Sequence, residues 1–297
     1  MIIRNSLKTL GDNFIVVWKQ LLYFIIVGLI VALVTALTLT PVVEIVNASG
    51  WRAEFTAFVE NSFASFKGFA GGLTSLILNL LEILKNSASL VWGSYVALIL
   101  LVVFSFFSVY VAEFVCGKLI YGKMESLRSQ SYVQNLFTTF GRSSRYALIK
   151  LLVSLPFYAL IVCTLWLYAT LASALKYGLL LLPALLLLLI LIFAVRDSLL
   201  SSFLARAVSG SGKVFGALAQ SIKEDSKQFW RFFQARILLN LVCLAIIVAS
   251  VLFTALLGLI VVFPAMVALT ASYSFVTLNI DNKHKFYVND STIVSPL

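Results

Sequence analysis

Of the 297 residues, 61% are hydrophobic and 11% are charged, against about 45–50% and roughly 25% in soluble domains, so the surplus apolar surface has to face lipid. The net charge of +10 follows the loops of one membrane side, which assigns it to the positive-inside bias and to anionic headgroups rather than to nucleic acid. Three scattered cysteines (Cys116, Cys163, Cys243) and the single His284 exclude a disulfide framework and a histidine-rich metal centre. The absence of alternating ten-residue segments excludes a β-barrel.

The predicted class is an all-α, polytopic membrane protein with six transmembrane helices, amphipathic helices on the cytoplasmic side and an outer helical hairpin. Residues 1–19 read as an interfacial amphipathic helix. Ile3, Leu7, Leu10 and Phe14 share one face, Arg4, Lys8 and Asp12 the other, and Trp18 and Lys19 mark the headgroup level. The first span covers about residues 21–39, carries Gly28, Ala32 and Ala36 at intervals of four, and stops at Pro41. Its apolar run is too long for a signal peptide.

Residues 41–90 form the longest stretch outside the spans. Glu44, Glu54, Glu60 and Glu82 face Arg52, Lys67 and Lys85, a balance that fits the exterior. Within it an amphipathic helical pair at about 51–87 divides at Gly71-Gly72. The pair reads either as a lid or outer-leaflet platform, or as a hairpin that packs its aromatic stripe inward. Asn47-Ala48-Ser49 matches a glycosylation sequon, a short pattern of low specificity.

The second span, about 91–114, ends on Glu113 and leads into a basic stretch from Lys118 to Lys150. There Lys118, Lys123, Arg128, Arg142, Arg145 and Lys150 oppose the single acid Glu125. Tyr132, Val133, Leu136, Phe137 and Phe140 make an amphipathic helix that Gly141 is expected to end. The third and fourth spans fall at about 147–171 and 178–195. A second basic stretch, Arg196–Arg236, contains two apolar stripes separated by Gly210 and Gly212. The last two spans fall at about 236–257 and 263–280, with Gly258 and Pro264 marking the turn, before a polar tail. Only Arg52, Lys67, Lys85 and Lys176, four of the 22 Lys and Arg, lie outside, and the other 18 lie inside. Both termini are therefore expected in the cytoplasm, and the membrane is expected to be the bacterial cytoplasmic membrane.

Three segments repeat. Ser6–Phe14, Leu136–Ser144 and Leu218–Ser226 each lead a hairpin, at offsets of 130 and 82 residues. Chance similarity among apolar segments is the competing explanation. These segments with their following spans, and the Phe263-Pro264-Ala265 start of the last span, resemble a loose group of uncharacterised bacterial polytopic membrane proteins that includes the glycerophosphodiester phosphodiesterase membrane domain. The resemblance covers most of the chain and has no diagnostic motif. It implies no activity, because the phosphodiesterase catalytic domain is not among these residues.

No ionisable residue falls at the middle of a predicted span. Lys19, Glu113, Lys150 and Arg236 are placed near inner ends, where long side chains can snorkel. That placement counts against a proton-coupled carrier built on a buried carboxylate. Candidate lipid-headgroup contacts are Lys8, Lys19, Arg128, Arg142, Arg145, Lys150, Arg231 and Arg236. Candidate helix hinges are Pro156, Pro183 and Pro264, whose freed backbone groups either meet neighbouring helices or line a path. Ser154, one turn after Lys150, admits a serine–lysine dyad but fits better as a serine bonded to its own helix. No nucleotide, zinc-protease or cofactor signature is present. The expected role is non-enzymatic, acting on membrane lipids, a protein partner or a second copy of the chain. The alternative is a channel or transporter for a small solute, which needs a polar cavity wide enough for water.

Overall fold

The computed structural model describes residues 2–61, 75–76, 79–80, 82–83, 86–87, 92–124, 131–175, 178–210, 213–254 and 258–282. All regular structure among them is helical: α1 (Ile2–Asp12), α2 (Ile15–Ala48), α3 (Trp51–Asn61), α4 (Trp92–Met124), α5 (Tyr132–Leu175), α6 (Gly178–Leu199), α7 (Phe203–Ser209), α8 (Val214–Asp225), α9 (Phe229–Thr254) and α10 (Leu259–Asn282). Six helical stretches, at 15–48, 92–124, 132–168, 181–209, 214–250 and 259–279, are long and apolar enough to cross a bilayer. The protein is an all-α polytopic membrane protein.

The helices are longer than the spans read from sequence. α2 continues through Pro41 to Ala48, and α5 passes through both Gly141 and Pro156 without a break. A proline removes one backbone donor, yet long apolar helices keep their remaining bonds because lipid offers no alternative partner. Upstream of Pro41, the Thr35, Thr38 and Thr40 hydroxyls donate to the carbonyls of Val31, Val34 and Ala36. Pro264 lies inside α10 rather than in a turn. The stripe expected from Leu199 to Val208 is broken at Leu200–Ser202, where α7 starts as a separate short helix.

The chain divides into two compact units. The first comprises residues 1–28, 105–157 and 190–297. Its core joins Val17, Phe114, Ile120, Tyr146, Phe203 and Phe275, with a smaller cluster around Phe232, Leu239 and Tyr273. The second unit comprises residues 29–104 and 158–189. Large aliphatic side chains such as Leu33, Leu37, Ile99 and Val162 are exposed along it, as expected of surfaces solvated by acyl chains. Also in the second unit, Trp51 Nε1 donates to the Leu76 carbonyl at 2.9 Å and Asn79 to Glu54 at 3.1 Å. These bonds join the described parts of the expected 51–87 pair. The remainder of that pair, including Gly71-Gly72, lies outside the described residues.

Polarity is inverted in the leading segments of the first unit. α1 buries Ile2, Ser6 and Thr9, followed by Asn13, while Leu7 and Phe14 face outward. The expected apolar face is thus split, with Leu7 and Phe14 outward and Ile3 and Leu10 half-buried against the core, and the fully buried positions are mostly small and polar. Small polar residues let helices approach closely and bond to their own backbone; Ser6 donates to Ile2 and Asn13 to Thr9. The same register recurs at the proposed offsets. Tyr132, Ser143 and Lys150 are buried on α5, and Val214, Leu218, Ser221, Asp225 and Phe232 on α8 and α9. Asn13, Ser143 and Asp225 occupy equivalent positions and are 1%, 0% and 0% exposed. The paths differ in one respect. The chain turns at Asn13–Phe14 and tightens into a 3₁₀ turn at Ser226–Gln228 but continues unbroken through α5, so the second leading segment is not a separate helix and the three do not share the single path expected of a strict repeat.

Gly117 on α4 faces Leu204 of α7. A β-carbon there would lie 3.2 Å from the Leu204 side chain, whereas one at Gly122 would meet nothing within 4 Å. Overpacking costs about 1–3 kcal/mol. Gly117→Val should therefore lower the thermal unfolding midpoint in detergent more than Gly117→Ala, and Gly122→Ala should leave it unchanged, as read by scanning fluorimetry.

Candidate site: a buried ionic network in the first unit

Lys150 stands on the buried stripe of α5 one turn after Tyr146, so both point at α4. The Lys150 Nζ donates to Glu113 Oε1 at 2.7 Å and Oε2 at 2.6 Å, and to the Tyr146 hydroxyl at 3.2 Å. The Tyr146 hydroxyl donates in turn to Glu113 Oε1 at 3.2 Å. The ammonium lies 4.8 Å from the centre of the Tyr110 ring, whose face adds a further attraction. The Lys150 and Glu113 side chains are only 8% and 5% exposed.

A second ion pair group lies on the other side of a small cavity. Arg196 holds Asp197 through Nε at 2.8 Å and Nη2 at 2.7 Å. Arg236 of α9 approaches Asp197 Oδ2 at 3.4 Å, as an ion pair without hydrogen-bond geometry at its Nε. Its guanidinium stacks 4.4 Å over the Tyr273 ring of α10, and the Tyr273 hydroxyl donates to the Phe232 carbonyl at 3.2 Å. Glu113, Lys150, Asp197, Ser201, Arg236, Thr270 and Ser274 are among the residues lining the cavity, whose volume is about 10 Å³. That is room for about one water molecule.

A third carboxylate organises α7. Asp225, at the end of α8, accepts the Ser202 backbone N–H at 2.8 Å, the Ser202 hydroxyl at 2.7 Å and the Ser221 hydroxyl at 2.8 Å. Ser202 makes no side-chain cap of its own to α7. Asp225 instead satisfies the orphan donor at the start of that helix. Arg206 Nε donates to Ser202 Oγ at 2.8 Å, and Ser274 of α10 accepts the Ala205 N–H at 3.1 Å.

The sequence-predicted residues fall into distinct places. Lys150 and Arg236, taken from sequence as headgroup contacts, are buried in ion pairs, because Glu113 and Asp197 reach them from other helices. Arg142 is half-buried and donates to the Gly210 carbonyl, and Lys19 is half-buried. Lys8, Arg145 and Arg231 are exposed, and Arg128 lies outside the described residues. Pro156 and Pro183 sit on exposed positions of α5 and α6. Pro264 is buried, and its carbonyl accepts Gln20 Nε2 at 2.5 Å. Ser154 is buried with its hydroxyl unpartnered, while the Lys150 protons go to Glu113 and Tyr146, so no serine–lysine dyad forms. Glu113, which the sequence places near the inner end of a span, is buried, as is Asp225 of the second basic stretch, while Asp197 is half-buried between Arg196 and Arg236. The helical spacing of Tyr146 and Lys150 and the adjacent Arg196-Asp197 were the available signals. Neither names its distant partner.

No protein-family model, no curated protein and no solved structure matches the chain.

Removing one member of a buried pair leaves an uncompensated charge, at about 3–5 kcal/mol. Lys150→Met should lower the unfolding midpoint sharply, and adding Glu113→Leu to it should restore most of the loss. A double variant as unstable as the single one would show that the pair is not the source of the effect.

Proposed function

We propose that the protein is a non-enzymatic integral protein of the bacterial cytoplasmic membrane, with both termini in the cytoplasm. Its three leading helices engage the cytoplasmic leaflet. One observation carries this reading: the outward faces of those helices are apolar and lie beside cations. Leu7 and Phe14 are 44% and 42% exposed, Phe137 and Phe140 are 75% and 54%, and Phe215 is 69%. Arg4, Lys8, Arg145, Lys213 and Lys223 are exposed on the same segments. An apolar face bordered by Lys and Arg is the pattern of a helix lying in the headgroup region. A protein partner or a second copy of the chain could use the same faces. The likeness to the phosphodiesterase membrane-domain group stands with this proposal and adds no activity.

Nitroxides placed at Leu7, Phe137 and Phe215 in reconstituted vesicles should collide more with oxygen than with a water-soluble nickel chelate. The opposite order at all three positions would remove the proposal.

The reading as a channel or transporter also has an observation behind it. Two carboxylates, the buried Glu113 and the half-buried Asp197, border a cavity of one-water size, a width that suits proton transfer and not a larger solute. Vesicles holding the protein and a pH-sensitive dye should then leak protons faster than empty vesicles, and Glu113→Gln should abolish the difference. A leak equal to that of empty vesicles would leave the leaflet-binding reading alone.

A further inference from the structure

An open groove of about 280 Å³ lies in the first unit between the start of α1 and the start of α9. Its floor is Ile2, Ile3, Ala235 and Leu238, and its rim carries Arg231 and Gln234. Ligand pockets run from about 300 Å³ upward, so this one suits a headgroup and the first part of an acyl chain.

Three further features decide what chemistry belongs there. Arg231 is exposed and pairs with no carboxylate among the described residues; it bonds only to Gln228 Oε1, at 3.5 Å. Arg236, five residues on, is buried and paired with Asp197. Among the described residues, the cation beside the groove is therefore the one of α9 that has no carboxylate partner. The second feature is an apolar track. From the groove, Leu238, Leu241, Ala245 and Val248 continue along α9 at spacings of three and four, all of them exposed. That stripe would carry the remainder of an acyl chain. The third is Trp230, 71% exposed next to Arg231 and edge-on to Phe229 and Phe233. Tryptophan concentrates at the level of the headgroups.

We propose that this groove is a binding site for one anionic glycerophospholipid. Its phosphate is held by Arg231 and Gln234, and one acyl chain lies over Ile2, Ile3 and Leu238 and along α9. Arg4, exposed on the first turn of α1, adds a second positive charge near the site. The proposal rests on the leaflet-binding reading and deepens it by naming a lipid class and a position.

The test uses the full-length protein in detergent, titrated with short-chain phosphatidylglycerol or with phosphatidylcholine of the same acyl length, with binding read by native mass spectrometry. A single Lys or Arg near an anionic headgroup corresponds to roughly a fivefold preference. Phosphatidylglycerol should bind at least that much more tightly. Arg231→Ala should erase the preference, Arg231→Lys should keep most of it, and Arg52→Ala, at an exposed position of the second unit, should leave it intact. Equal losses in Arg231→Ala and Arg52→Ala would overturn the groove while leaving the leaflet-binding reading in place, since the preference would then be diffuse. No preference for the anionic lipid in the unaltered protein would overturn both. Displacement of phosphatidylglycerol by inorganic phosphate at millimolar concentration would show a simple anion site and overturn the lipid assignment.

Discussion

The Glu113–Lys150 pair is the constraint on which the first unit depends. Either charge alone would be costly at that depth, by several kcal/mol even after relaxation. Together, with Tyr146 bridging them, they are satisfied on almost every side. The same logic extends outward. Taking α2 with α4, α5 with α6, and α9 with α10 as three hairpins, Glu113 and Lys150 tie the first to the second. Asp197 and Arg236 tie the second to the third. Gln20 returns from the first to the third through the Pro264 carbonyl. Each tie is polar, short and specific. Dispersion between apolar helices in lipid offers little preference for one partner over another, so the polar ties set which helix meets which.

The inverted polarity follows from the same solvent. Leu7, Phe137 and Phe215 point away from the protein, and Ser6, Ser143 and Ser221 point into it. In water that arrangement would be unfavourable on both counts. In lipid, outward Leu and Phe are solvated, and an inward serine is satisfied by its own helix or by a neighbour, as Ser221 is by Asp225. Asn13, Ser143 and Asp225 then fall at one register of three related segments. Where the chain bends after the first and third, the buried polar side chain bonds locally: Asn13 to Thr9 and Asp225 to Ser202 and Ser221. In α5 the helix runs on unbroken, and Ser143 bonds back to Phe140.

The fold was largely legible because apolar length and the bias of Lys and Arg are properties of local sequence. The six helices fall where the runs fall, and the leading segments fall at the repeat offsets. Helix ends were less legible: Pro41 and Gly141 are punctuation in water but do not stop α2 or α5. The ionic network was not legible as a network. Lys150 and Arg236 looked like snorkelling residues because their partners Glu113 and Asp197 are 37 and 39 positions away in the chain. In the last hairpin Tyr273 reaches Phe232 and Ser274 reaches Ala205, whereas Ser272 and Thr277 bond within their own helix.

The order of these ties along the chain bears on biosynthesis. Glu113 is made before Lys150, and Asp197 before Arg236. Glu113 is thus made before its counter-charge Lys150, whereas Asp197 follows directly on Arg196 and gains Arg236 only later. These ion pairs join successive hairpins, first to second and second to third. The Pro264 carbonyl, in the last hairpin, meets an amide, Gln20, that was among the first residues made. The tie between the first hairpin and the second can therefore form only once Lys150 has been made, so for that contact the order of synthesis sets the order of assembly.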